Sequence, residues 1–158
     1  MSFEEYTPKN LNRRQCTGVV SRIYDPEGLL TPITLKCKND LRQLIKFEPS
    51  WDNPIPDHQR QTWLTNFEII EDLRDILYVR CVIPADAISQ KARFYLCCDA
   101  ADHGIIVSVY ICYERKNLQW SCDLIFGKGI LAGEWSLPQK ELHGLSILAN
   151  IKAIIYQN

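Results

Sequence analysis

The sequence predicts a mixed α/β (α+β) fold, in which a helical N-terminal region precedes a three-stranded antiparallel sheet and one long helix. The first observation is a change of pattern, because apolar residues recur at helical spacing in residues 1–84 and in strand-like runs in residues 91–158. The second is composition, since 158 residues of which 46% are hydrophobic can form one core with a small helical lobe. We therefore predict two regions, residues 1–84 and residues 91–158.

The helical region begins with a segment from Arg13 to Tyr24 whose apolar residues recur at helical spacing. Asp25-Pro26-Glu27-Gly28 ends this helix, because Pro at the second place and Gly at the fourth suit a type I turn. A second helix begins at Thr31-Pro32, with Thr31 as the N-cap and Pro32 at the first helical position. Its apolar stripe consists of Ile33, Cys37, Leu41, Leu44 and Ile45.

A row of cations lies beside that stripe, because Lys38, Arg42 and Lys46 recur every four residues. Cations in a row can follow a nucleic-acid backbone and displace its counterions. The commoner interpretation is a solvated face, which the nearby Asp40 and Glu48 favour. The net charge of -1 and the pI of about 6.3 give the whole chain no basic footprint. Any nucleic-acid contact must therefore come from a local patch or from other parts of a larger protein.

The segment from Glu48 to Pro56 contains three prolines and is predicted to connect two helices. Asp57 is predicted to cap the third helix, whose apolar face is formed by Trp63, Phe67, Ile70 and Leu73. This aromatic stripe is typical of a core and less so of a surface on which nucleobases stack. A short strand over Leu77–Ile83 and a loop over Pro84–Gln90 are predicted to lead into the sheet.

The predicted sheet has strands over Arg93–Cys98, Ile105–Tyr113 and Gln119–Phe126. The second strand is apolar on both faces, as a central strand requires. Gly127-Lys128-Gly129 is predicted to end the third strand. Ser136-Leu137-Pro138-Gln139 then fits a capping box and begins a helix that runs to about Tyr156. Because that helix is apolar over most of its circumference, we expect most of it to be buried.

Two acidic residues occupy positions in these elements where they could bind a metal ion. Asp99 comes at the end of the first strand, and Glu141 lies in the second turn of the long helix. Two carboxylates from different elements can begin a metal site that activates water against a phosphodiester. Alternatively, Asp99 is an ordinary turn residue, and Glu141 favours the helix dipole and solvent. His103 and His143 follow these acids in sequence and could relay protons, or have surface or packing roles.

The seven cysteines give no pairing signal, because their number is odd and no C-x-x-C pair occurs. Most lie in apolar runs, which predicts free thiols in a reducing, intracellular (cytoplasmic) environment. No Cys or His lies at zinc-ligand spacing. The acidic N-terminus lacks the apolar core of a secretory signal, and no run approaches the roughly 18 apolar residues of a membrane span. We expect no membrane association.

Five segments resemble landmarks of Bel/Pao-type retrotransposon polyproteins in the same order. They are residues 13–36, Trp51-Asp52-Asn53-Pro54-Ile55-Pro56, Asp99-Ala100-Ala101, Leu124-Ile125-Phe126-Gly127-Lys128 and Leu137-Pro138-Gln139-Lys140-Glu141-Leu142. The first two resemble the connection segment that follows the reverse transcriptase core. The last three resemble the start of the RNase H-like domain. The resemblance implies a helical connection region over residues 1–84 and a partial RNase H-like domain over residues 91–158.

The resemblance also implies chemistry. RNase H-like enzymes use four carboxylates and two Mg²⁺ ions to cut RNA in RNA–DNA hybrids. Asp99 would be the first-strand carboxylate and Glu141 the helix carboxylate, both catalytic and both metal ligands. Because the sequence stops at Asn158, before elements that would carry the others, we expect catalytic incompleteness and weak or absent Mg²⁺ binding. In the parent polyprotein the expected partner is an RNA–DNA hybrid or another nucleic acid.

Two other functions remain open. The chain could be a non-catalytic protein interaction module derived from a retroelement, or a nucleic-acid binder that uses Lys38, Arg42 and Lys46. The family fold implies that the first strand, residues 93–99, is left as an open edge in this chain. An open edge predicts self-association through that strand.

Overall fold

The computed structural model describes residues 11–75, 82–88 and 92–157. It has the predicted mixed α/β composition, in the order α1 (Arg13–Ser21), α2 (Thr31–Phe47), α3 (Asp57–Asp72), a 3-10 turn (Leu73–Asp75), β1 (Arg93–Ala100), β2 (Gly104–Glu114), β3 (Trp120–Leu131) and α4 (Leu137–Gln157). The chain divides into two compact units. The first comprises Met1–Tyr24 and Ile33–Leu77, and the second Asp25–Pro32 and Tyr78–Asn158. Within the described residues, no helix is long and apolar enough to cross a membrane.

The first unit is a small helical body. Asn12 caps α1, because its side chain accepts from the Gln15 N–H at 3.0 Å while the Gln15 side chain accepts from the Asn12 N–H at 3.0 Å. The helix ends at Ser21, three residues before the predicted end at Tyr24. Residues from both sides of the connector form the core: Leu11, Cys16, Val19, Cys37, Leu44, Ile55, Trp63, Phe67 and Ile70. The prediction that the aromatic stripe of α3 is core is therefore confirmed for Trp63, Phe67 and Ile70, whereas Leu73 is half-buried in the 3-10 turn.

Two details of this unit correct the sequence predictions. Ile45, expected in the buried stripe of α2, is 46% exposed. Its neighbour Leu44 takes the core position, and the next residue on a helix points about 100° away. Asp57 does not cap α3, because Pro56 occupies the N-cap without a side-chain bond. Asp57 instead forms an ion pair with Arg60 Nη1 at 2.6 Å.

The second unit contains an antiparallel sheet in the order β1-β2-β3. β2 is central, as predicted, and it supplies most of the buried apolar residues, which are Ile105, Val107, Val109, Ile111, Cys112 and Tyr113. β1 and β3 lie at the two sides of the sheet. The predicted strand over Leu77–Ile83 lies mostly outside the described residues, and the described Val82 and Ile83 are not in a strand.

β3 does not end at Gly127, contrary to prediction, but continues to Leu131. Gly127 stays in the ladder opposite Ser108, and its N–H donates to the Glu27 carbonyl at 2.7 Å. The turn over residues 25–28 therefore lies against β3, with the predicted bond from the Gly28 N–H to the Asp25 carbonyl at 3.3 Å. Gly28 has a positive φ of 73° and touches the Gly127 backbone, which explains why glycine occurs at both positions.

The expectation of free cysteines is wrong for one pair, because Cys112 and Cys122 form a disulfide between β2 and β3. The register explains the pairing. Val109 pairs with Phe126 but Tyr110 pairs with Leu124, and this one-residue bulge brings Cys122 directly opposite Cys112. Cys16 and Cys37 are buried and free, as expected. Burial raises the pKa of the Cys16 thiol to about 12.

α4 begins at Leu137, where the Gln139 side chain accepts from the Ser136 N–H at 2.9 Å. The expectation that most of α4 is buried is wrong. Its buried residues Lys140, Gly144 and Leu148 recur every four positions and form one stripe. The apolar residues Leu142, Leu145, Ile154 and Tyr156 are exposed. Within the described residues, α4 therefore packs through one face, against β1 and β2.

Candidate functional site at the end of β1

Gly144 sets the distance between α4 and the end of β1. A Cβ placed on Gly144 would lie 3.2 Å from Cys98 Cβ and 3.1 Å from Ile105 Cγ2. These distances are shorter than ordinary carbon contacts, so a larger residue would push the helix away from the sheet. The close approach brings the first turns of α4 beside the last residues of β1.

Asp99 is the penultimate residue of β1 and pairs with Ile106 of β2. Its side chain is exposed, and Oδ1 accepts a hydrogen bond from the Ala100 N–H at 3.0 Å. Successive side chains of a strand point to opposite faces. Since Cys98 contacts Gly144, Asp99 leaves the strand on the face opposite α4.

Glu141 is an exposed residue of α4 that follows the buried Lys140. The charges of Glu141 and Asp99 both affect the pKa of the Cys98 thiol. Burial is the largest cause that raises the pKa of Cys98, and the charges of Asp99, Cys97 and Glu141 raise it further. The two acids do not share a face of the strand, because Asp99 leaves β1 on one face and α4, which carries Glu141, packs on the other.

Lys140 was not identified from the sequence, although it joins the two elements that carry the acids. Its side chain is 6% exposed, and Nζ donates to the Asp102 carbonyl at 2.9 Å. This bond ties the start of α4 to the turn between β1 and β2. Its four-residue spacing to Gly144 and Leu148 was the available signal, but a lysine in a helix is more often solvated.

The described residues do not fit the two-metal site that the resemblance implies. Among them, no group of three or more His, Cys, Asp or Glu side chains is placed to hold a metal ion. Hard divalent cations need several oxygen ligands, and a two-ion site needs more carboxylates than Asp99 and Glu141 supply.

The two histidines near the acids have different surroundings. The His143 ring packs edge-on against Trp135, with centroids 5.1 Å apart. Both rings line an open pocket of about 330 Å³ on the solvent side of α4, together with Gln139, Leu142 and Ser146. The His103 carbonyl accepts from the Ala132 N–H at 3.2 Å in the β1–β2 turn. Proton transfer by either ring remains a prediction.

The predicted cation row lies along α2. Lys38 and Lys46 are exposed and Arg42 is half-buried. Lys36, which was not in the predicted row, instead forms an ion pair with Asp40 at 3.0 Å. The row thus presents at least two solvated ammonium groups on the surface of α2.

The order of these elements is that of a partial RNase H-like fold, in which an acid ends the first strand and a second acid lies on the helix after the third strand. The family model of the Pao retrotransposon-like RNaseH-like domain matches residues 12–158. The chain belongs to this family. Comparison with curated proteins and with solved structures finds no match.

Proposed function

We propose that this chain is the RNase H-like segment of a Bel/Pao-type retrotransposon polyprotein, and that it holds the family's first two catalytic carboxylates, Asp99 and Glu141, without cutting nucleic acid by itself. In the parent polyprotein, such a domain would be a metal-dependent nuclease that acts on the RNA of RNA–DNA hybrids. The family match over residues 12–158 supports the ancestry.

The observation that carries the assignment of the acids is their position in the fold. Asp99 is the penultimate residue of β1, and Glu141 directly follows Lys140, whose Nζ donates to the Asp102 carbonyl at 2.9 Å. Gly144 and Lys140 support the arrangement, because one permits close packing of α4 on β1 and the other ties α4 to the β1–β2 turn. Lys140 is therefore a positioning residue in this proposal.

The lack of autonomous cleavage follows from the number of ligands. Two carboxylates can hold one divalent ion weakly, because such ions need several oxygen ligands to stay in place. They cannot arrange two ions on the attacking and leaving oxygens of a phosphodiester. The described residues provide no site that could hold the metal ions of such a reaction.

Cleavage of a labelled RNA–DNA hybrid tests the proposal. The purified chain is compared with an Asp99→Ala, Glu141→Ala double variant in Mg²⁺ and in Mn²⁺. We expect equal rates, because removing an incomplete ligand set removes no activity. Glu114→Ala provides a matched control for loss of an acid elsewhere on the sheet. Cleavage clearly faster than the double variant, and unchanged in Glu114→Ala, would contradict the proposal.

A nucleic-acid-binding role is the second candidate, and the exposure of Lys38 and Lys46 on one side of α2 favours it. Together with Arg42 they would contact phosphates without reading sequence. This role needs no metal and is compatible with loss of cleavage.

A further inference from the structure

We propose that the Cys112–Cys122 disulfide is a reversible redox clamp, which small thiols open at Cys122 and which holds the first part of β3 one residue away from the register that its side chains favour. The disulfide joins directly opposite residues of β2 and β3, whose Cα atoms are 4.1 Å apart. In the β2–β3 turn, the Arg115 N–H donates to the Gln119 carbonyl, so odd-numbered residues of β2 share backbone hydrogen bonds with β3. Cys112 and Cys122 are therefore a non-hydrogen-bonded pair, and the S–S bond is the link between them. The proposal goes beyond the proposed function and uses neither metal nor nucleic acid.

β3 is fixed at two places whose registers differ by one residue. At the first place, the Gly127 N–H donates to the turn of residues 25–28 at 2.7 Å. At the second, the disulfide holds Cys122 opposite Cys112. An uninterrupted ladder that started from Gly127 would bring Asp123 opposite Cys112 instead. The bulge in β3 takes up the difference with one additional residue.

The side chains of β3 favour the register without the bulge. Ile111 of β2 is buried on the face that α4 covers, because it lies an even number of residues from Val107, the partner of Cys98. In the observed register its partner on β3 is the half-buried Asp123, while Leu124 points to the other face. A shift of one residue would place Leu124 opposite Ile111 and move the carboxylate away from α4. Apolar burial therefore favours the shifted register.

The loop between β2 and β3 favours the same shift. Its three residues lie between Arg115 and Gln119, whose backbones are joined by a hydrogen bond of 2.8 Å. Leu118 in this loop has a positive φ of 63°, a left-handed conformation that favours glycine over a branched side chain. A shift by one residue would lengthen the loop to four residues. Loops of that length are mostly built around a type I turn, whose central residues have negative φ.

Exposure determines which sulfur a small thiol such as glutathione attacks. Cys122 is exposed, whereas Cys112 is 1% exposed. The attacking thiolate forms an S–S bond with Cys122, the bond to Cys112 breaks, and the Cys112 thiolate takes up the proton that the attacking thiol lost. A second thiol attacks the small-molecule sulfur of this mixed disulfide and releases Cys122 as a thiol. Two small thiols are thereby oxidised to one disulfide while the protein disulfide is reduced, and a small disulfide as oxidant reverses these steps.

The two redox states present different side chains on the sheet face opposite α4. In the oxidised chain Trp120 lies on that face, where the Arg93 guanidinium is 4.3 Å from the centre of its ring. After the shift, Trp120 and Cys122 point toward the α4 side, and Ser121 and Asp123 take their places. Opening the disulfide thus replaces an apolar row of β3 with a polar row on this face.

Reaction with glutathione tests which sulfur exchanges. The oxidised chain is incubated with reduced glutathione, trapped with N-ethylmaleimide and mapped by mass spectrometry after cleavage with trypsin, which cuts between the two cysteines at Arg115 and Lys116. We expect the glutathione adduct on Cys122 and a free thiol at Cys112. An adduct mainly on Cys112, or a disulfide that opens only in denaturant, would overturn the proposal.

NMR of the oxidised chain and of the chain reduced with dithiothreitol measures the register. The Hα atoms of a non-hydrogen-bonded pair are close enough to give a nuclear Overhauser effect. We expect this contact between Cys112 and Cys122 in the oxidised chain and between Cys112 and Asp123 in the reduced chain. A reduced chain that keeps the contact between Cys112 and Cys122 would contradict the proposal.

Two variants separate the shift from a general effect of reduction. Ile125 is the additional residue of the bulge, so deleting it allows one register to satisfy both fixed places. After reduction, the deletion variant should keep the contact between Cys112 and Cys122. Cys122→Ser should show the contact between Cys112 and Asp123 without any reductant. A deletion variant that shifts on reduction, or a Cys122→Ser chain that retains the contact between positions 112 and 122, would refute the clamp.

Discussion

Gly28 and Gly127 show how single residues join two distant sequence motifs. A Cβ on either glycine would overlap the backbone of the other. Gly28 also has a φ of 73°, a conformation that costs other residues about 1–2 kcal/mol. The sequence patterns identify the turn of residues 25–28 and the Leu124–Lys128 segment as two separate motifs. In the structure, the two motifs contact each other through the backbones of Gly28 and Gly127.

Gly28→Ala is expected to lower the free energy of unfolding by more than about 2 kcal/mol, because strain and overlap add together. Gly18→Ala is the matched control, since a Cβ at this position in α1 meets no atom within 4 Å. That change should stabilise the helix by about 1 kcal/mol. Urea denaturation measures both. An equal effect of the two substitutions would show that Gly28 does not contact β3 as described.

The pKa of Cys98 depends on the charges of Asp99 and Glu141, so it can be used to test their position without an activity assay. Its pKa is raised by burial and then by the charges of Asp99, Cys97 and Glu141. In a Cys97→Ser background, Asp99→Asn and Glu141→Gln should each lower the pKa of Cys98, because each removes a negative charge that disfavours the thiolate. The pH dependence of alkylation measures the shift. Glu114→Gln should leave the pKa of Cys98 unchanged. If neither Asp99→Asn nor Glu141→Gln lowers the pKa of Cys98, the two acids do not act on this thiol.

At the scale of elements, periodicity predicted which segments form helices and strands but not how much of each is buried. Hydrophobic residues cover most of α4, yet its buried residues include Lys140 and Gly144 while Leu142 and Leu145 are exposed. Sequence pattern gives the apolar surface available, whereas burial depends on the partners that the helix meets. The end of β3 was misplaced for a similar reason, because Gly127 is required by a contact with Gly28 and does not break the strand.

The cation row on α2 gives a prediction for nucleic-acid binding. Replacing Lys38, Arg42 and Lys46 together by Glu should abolish any binding to duplex DNA. Before replacement, the affinity should be weak and should fall with salt by a slope of about 0.9 for each phosphate contacted. Fluorescence anisotropy at several salt concentrations measures both properties.

A matched triple replacement, Lys116→Glu, Lys128→Glu and Lys152→Glu, changes the net charge equally on the sheet and α4. It should weaken binding much less than the α2 replacement. Equal loss in the two triple variants would mean that overall charge governs binding and that the row on α2 has no special role.

At the scale of the whole molecule, the family assignment came from the order of five short segments, and the fold is consistent with it. The sequence placed Asp99 at the end of β1 and Glu141 on the long helix, and both elements are found there. The disulfide could not be predicted, because Cys112 and Cys122 meet through a bulge that no local pattern specifies. Lys140 was missed because its role depends on the Asp102 carbonyl across the fold.

A Mn²⁺ titration followed by amide NMR tests whether the two acids act as one metal site. Because Asp99 leaves β1 on the face opposite α4, we expect the amides of residues 99–101 and of Glu141 to broaden independently, and only in the millimolar range typical of weak sites. Asp99→Asn should then remove the broadening near residue 99 and leave that near Glu141 unchanged. Loss of broadening at both places in Asp99→Asn would contradict this expectation, because the two carboxylates would then hold one ion together.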